Sequence, residues 1–152
     1  MKHSVEATLS KLAYVSDSLN KSSDSLSKQI LEVESALQRY SLGVSAWVVI
    51  SSWEVEVPVI GAMNTNVTRM LCLGYGKNCG KWGLLISECE DVPWEGNVSF
   101  LREESRDMKL EAVGKLPDLL KQLLKKATEV ANEATAKADV TREIAASLKQ
   151  WM

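Results

Sequence analysis

The sequence predicts an α+β fold: a long N-terminal helix, a small antiparallel β-meander of three or four strands, and a long C-terminal helix. Three observations carry this. Seven of the eight glycines, all three cysteines and four of the five tryptophans fall between Gly43 and Leu101. The flanking blocks are nearly free of glycine and rich in Ala, Leu, Lys, Glu and Ser. Each flanking block also repeats its apolar residues at alternating steps of three and four, the spacing of a coiled-coil seam. One domain is expected over residues 1–152, with a helix at about 4–42, a sheet block at about 43–101, a short helix at about 105–113 and a long helix at about 117–150.

In the first block the repeat runs Val5, Leu9, Leu12, Ser16, Leu19, Ser23, Leu26, Ile30, Val33, Leu37 and Tyr40, broken only by its two serines. Leu42-Gly43 is the expected end, with glycine in the left-handed cap. At 1.5 Å per residue the helix spans roughly 55 Å, more than a domain of this size needs, so part of it must pack on another helix. The last block offers one, through Val113, Leu116, Leu120, Leu123, Ala127, Val130 and Ala134 and onward to Trp151. Pro117 suits a first helical turn and Gly114 the end of a shorter preceding helix. Both long helices meet the sheet block at one end, so they are expected to form an antiparallel coiled-coil-like hairpin, completed by a second subunit.

The middle block alternates as strands do. Ala46–Val57 places Trp47, Val49, Ser51, Trp53, Val55 and Val57 on one face, and Pro58 ends it. Thr68–Lys77 and Lys81–Cys89 read as a hairpin around Asn78-Cys79-Gly80, and Asn97–Leu101 as a fourth strand. Pairing Tyr75 with Trp82 sets Leu73 against Leu84 and Leu71 against Ile86, an apolar face, and puts Gly74 beside Gly83 on the other side. Two bare glycines leave a flat patch where a backbone or a flat ligand can approach closely. Gly74, Gly83, Trp94 and Arg69 are therefore the candidate ligand-binding residues. Trp53, Tyr75 and Trp82 fall on the inferred core face, whereas Trp94 follows Pro93 in a polar turn.

Other chemistry is poorly supplied. The stretch from Gly74 to Lys81 imitates a phosphate loop but has the wrong glycine spacing, with Trp82 in place of Ser or Thr, in a strand–turn–strand context. Cys72, Cys79 and Cys89 form no C-x-x-C pair, and the lone His3 supplies neither a zinc ligand set nor a catalytic triad, so no metal and no cofactor are expected. Glu54, Glu56, Glu88, Glu90, Asp91 and Glu95 could offer paired carboxylates, but alternation along a solvated face opposite Arg69, Lys77 and Lys81 explains them. A net charge of −2 without a basic surface argues against nucleic acid. The N-terminus lacks a signal-peptide core and no apolar run spans a bilayer, so a cytoplasmic protein with reduced thiols and no membrane partner is expected. The functional expectation is a non-enzymatic interaction or scaffold protein. Its partner would be a second copy of itself (a dimer or tetramer) or another helical protein, held through the seam residues Leu12, Leu19, Leu26, Ile30, Val33, Leu37, Leu120, Leu123, Ala127 and Ala134. A small-molecule binding domain using the glycine patch and sheet aromatics is the alternative.

Overall fold

A computed structural model describes residues 1–151. Its architecture is α+β, with long helices at both ends of the chain and a four-stranded antiparallel sheet between them. Helix α1 (Lys2–Tyr40) leads into β1 (Ala46–Val57), β2 (Thr65–Asn78), β3 (Lys81–Cys89) and β4 (Asn97–Phe100), in that order across the sheet. Single 3₁₀ turns at Pro93–Glu95 and Leu101–Glu103 flank β4. Helices α2 (Arg106–Val113) and α3 (Leu116–Gln150) follow. The Ser105 hydroxyl caps α2 by accepting the Met108 N–H at 3.3 Å.

Helix α1 ends earlier than glycine alone would dictate. Ser41 takes the left-handed cap, with φ 49°, its N–H returning to the Gln38 carbonyl, and Gly43 adds a second left-handed residue at φ 64°. The reversal therefore uses Ser41 and Gly43 together.

Two details of the sheet depart from the expected alternation. In β1, Val49 faces Cys72 but Ser51 faces Leu71, so a β-bulge at Ile50 resets the pleat. Trp47 and Val49 consequently lie on the opposite face from Trp53, rather than beside it. In the β2–β3 hairpin, Cys79 (φ 51°) and Gly80 (φ 79°) make a two-residue turn closed by Asn78 and Lys81. Left-handed backbone at both central positions matches the twist of the flanking strands. This moves the register by two residues from the expected one: Tyr75 faces Leu84, Leu73 faces Ile86, and Leu71 faces Glu88. A shift of two keeps every side chain on its face, so the apolar face survives. The glycine pair does not, because Gly83 faces Gly76, and Gly74 faces Leu85.

The main core lies between that face and the helices. Leu71, Leu73, Tyr75, Leu84 and Ile86 bury against Ile30 and Leu37 of α1, Leu119 and Leu123 of α3, and Leu101 and Ala112. Helix α3 packs on β1 and β2, whereas α1 packs on β3, on the turn after β4 and on α2. The phase of α3 differs from the expected seam: Leu119 is 0% exposed and Leu120 is 44% exposed. On the sheet α3 buries Leu119 and Leu123 with Leu116 and Ala127 half-buried beside them, so the covered stripe is turned towards Leu119 and away from Leu120. The opposite face of the sheet holds a smaller core of Cys72, Leu85, Ser87, Cys89 and Phe100, closed by the Pro93 turn, whose carbonyl accepts the Ser87 hydroxyl at 2.6 Å.

Only the inner ends of the long helices take part. Residues 1–22 of the first and 128–150 of the second are exposed throughout, including Leu12, Leu19 and Ala134, so neither helix buries the other's seam along these stretches.

Candidate functional site

The geometry around the inner half of α1 starts from an unpaired strand edge. Strand β4 reaches only Leu85–Glu88 of β3, which leaves the first residues of β3, paired with β2 on one side, without a strand on the other. Such an edge exposes backbone donors and acceptors that must be satisfied. Helix α1 satisfies them with side chains. Glu34 Oε2 accepts the Leu84 N–H at 2.9 Å, and Gln38 Nε2 donates to the Trp82 carbonyl at 2.7 Å. One turn of helix separates the two, matching the spacing of alternate strand residues.

Glu34 is 4% exposed, and a carboxylate so buried needs a charged partner. Arg102 supplies it, with Nη1 at 2.6 Å from Glu34 Oε1, while its guanidinium lies 4.1 Å from the centre of the Phe100 ring. The sequence reading missed both residues. The available signal was Glu34 itself, a carboxylate four residues after Ile30 and three before Leu37 on the apolar face.

Gln38 and Arg102 of this arrangement line one side of an open cleft of about 460 Å³. Its floor is Tyr75 and Trp82, stacked with ring centroids 5.6 Å apart and planes at 29°. Gln38, the Ser41–Gly43 reversal, Lys81 and Arg102 form the rim. Burial, reinforced by the Glu34 charge, pushes the Tyr75 phenol above its usual range and keeps it neutral.

The four expected ligand residues are not gathered here. Gly74 lies beneath the Trp47 ring, which occupies the space a side chain would need. A Cβ at Gly83 would sit 2.9 Å from Glu34 and 3.0 Å from Phe100, so that glycine admits the edge network rather than a ligand. Trp94 is 66% exposed and lines a different hollow of about 270 Å³ with Trp47, Met70, Cys72 and Lys126. Arg69 is seven residues along β2 from the partner of Gly83, roughly 23 Å away, in ion pairs with Glu88 at 3.5 Å and Glu90 at 3.6 Å. The remaining carboxylates are structural or solvated; Glu56 accepts the Asn64 side-chain amide at 3.0 Å. No cluster of three or more His, Cys, Asp or Glu side chains suited to a metal occurs among the described residues. No described helix is long and apolar enough to cross a membrane.

The outer halves of the long helices are the other prominent feature. They carry Val5, Leu9, Leu12 and Leu19 on α1, and Val130, Val140, Ile144 and Leu148 on α3, each at least 41% exposed. The total accessible surface is 11099 Å², against about 7,600 Å² for a globular monomer of this mass. The class these features define is an α+β sheet body bearing two unpartnered helical arms. Compared with protein-family models, curated proteins and solved structures, the chain matches none of them.

Proposed function

We propose that this is a non-enzymatic, cytoplasmic interaction protein that assembles with further copies of itself through the outer halves of α1 and α3. One observation carries the reading: the 3-4 stripe of α1 is buried or half-buried from Leu26 to Leu37 and continues in phase, past Ser16 and Ser23, to an exposed Val5. The surface in excess of a compact monomer is about 3,500 Å², several times the ~800 Å² per partner of a standard interface. The two arms also complement each other in size. The seam of α1 presents Leu9, Leu12 and Leu19, whereas α3 presents Ala131, Ala134 and Ala138, which permit close helix approach. Large side chains of one copy entering the small-residue face of another give the antiparallel coiled-coil packing that a single chain leaves unmade. Three free thiols, Cys72 and Cys89 among them buried and unlinked, suit a reducing compartment.

Light scattering coupled to size exclusion, at about 100 µM chain, tests this. The wild type is expected at the mass of two or four copies, and Leu12→Asp with Ile144→Asp at the monomer mass with an unchanged near-ultraviolet circular dichroism spectrum. A wild-type monomer at that concentration overturns the proposal. So does an oligomer whose mass the double substitution leaves unchanged. A monomer that instead captures a different helical protein assigns the arms to a heterologous partner.

A further inference from the structure

We infer that the cleft at the open edge of β3 is a binding site for a small planar aromatic monoanion, such as an aromatic carboxylate. The site lies at the inner end of α1 and does not depend on what the outer arms bind. Its size, about 460 Å³, falls in the range of small-molecule sites. Its floor specifies a flat apolar ligand. Tyr75 is 2% exposed and backs the half-buried Trp82, whose ring is held by the stack at 5.6 Å and whose backbone is tied to α1 through Gln38. A rigid, half-exposed indole offers a face for offset stacking without ordering cost.

The charge count specifies a monoanion. No acidic side chain lines the cleft, and two cations do. Arg102 is already matched by the buried Glu34 carboxylate. Lys81 has no carboxylate partner among the described residues. The cleft therefore carries one uncompensated positive charge, from the exposed Lys81 on its lining. One carboxylate at Lys81, with further hydrogen bonding from the remaining Arg102 donors, neutralises it; a phosphate dianion would not be balanced.

The test uses the full-length protein labelled with ¹⁵N and follows the Trp82 indole N–H, assigned by a Trp82→Phe variant. The probes are benzoate, its neutral isostere benzamide, and inorganic phosphate. Benzoate is expected to shift the Trp82 signal saturably with a Kd of about 1 mM, in keeping with so small a ligand, and benzamide to bind at least about fivefold more weakly. Phosphate is expected to leave that signal in place. Lys81→Gln, an exposed substitution that the fold tolerates, should weaken benzoate about fivefold and leave benzamide unchanged. The inference is overturned if benzoate produces no saturable shift up to about 20 mM, if benzamide binds as well, if phosphate alone reproduces the shift, or if Lys81→Gln has no effect.

Discussion

The inner and outer halves of α1 have the same 3-4 repeat and opposite environments. Ile30 and Leu37 are buried beneath the sheet, while Leu12 is 58% exposed. The periodicity of a helix thus specifies which residues share a face, but not what covers that face. The difference between the halves comes from β3. Its unpaired edge draws Glu34 and Gln38 into backbone hydrogen bonds, and the apolar residues beside them follow into the core. The outer half has no such anchor.

The most damaging way to break this contrast is to remove the anchor. Replacing Glu34 by Leu strands the Leu84 N–H and leaves Arg102 unpaired, and should cost about 3–5 kcal/mol in urea unfolding. Glu34→Gln keeps an acceptor for Leu84 and should cost distinctly less. If Glu34→Leu unfolds like the wild type, the inner half is seated by apolar contact alone.

Next in size are truncations that compare buried with exposed positions of the same repeat. Ile30→Ala and Leu119→Ala should each lose about 3 kcal/mol, whereas Leu120→Ala should stay within about 0.5 kcal/mol in the same measurement. If the arms assemble as proposed, the unfolding midpoint of Leu12→Ala should depend on chain concentration less steeply than that of the wild type. Equal losses at Leu119 and Leu120 would return α3 to the narrow seam of a helix hairpin.

A smaller effect concerns the second core. Burial pushes the Cys72 thiol from 9.0 up to about 12, with Cys89 beside it adding to the rise. The folded protein then holds a proton that the unfolded chain releases, so stability falls as pH rises from about 9 towards 12. The slope should approach about 1.4 kcal/mol per pH unit and flatten in Cys72→Ala. Stability independent of pH across that window would remove the burial argument.

The smallest expected change is a gain. Cys79 occupies a left-handed turn position that asparagine adopts more readily, so Cys79→Asn should stabilise the hairpin by about 0.5 kcal/mol in thermal unfolding. A loss would mean that the Cys79 side chain makes a contact of its own.

Much of this fold was legible because period 2 and period 3.6 leave different marks. The glycine-rich centre, the strands and the two long helices follow from those marks and from Pro117 and Gly114. What escaped was set by geometry rather than pattern. The bulge at Ile50 has no glycine to announce it, and a cysteine is an unexpected choice for the first residue of a two-residue turn. A register error of two residues is invisible to face-matching, because it preserves both faces. The edge site was hidden for another reason: Glu34 and Arg102 are 68 residues apart, and neither has a meaning until β3 presents its edge. Leu119 and Leu120 are adjacent apolar residues, and only the flat sheet decides between them.

The hydrogen bond from Leu84 to Glu34 joins a strand amide to a helix carboxylate 50 residues away. Amides inside a sheet exchange with deuterium when strands part, but this one is released when α1 lifts. Leu84 is therefore a single-site clock for the seating of the helix, readable without disturbing either arm. Should assembly pull on the outer half of α1, that clock would run faster while its neighbour Ile86, paired within the sheet, kept its pace.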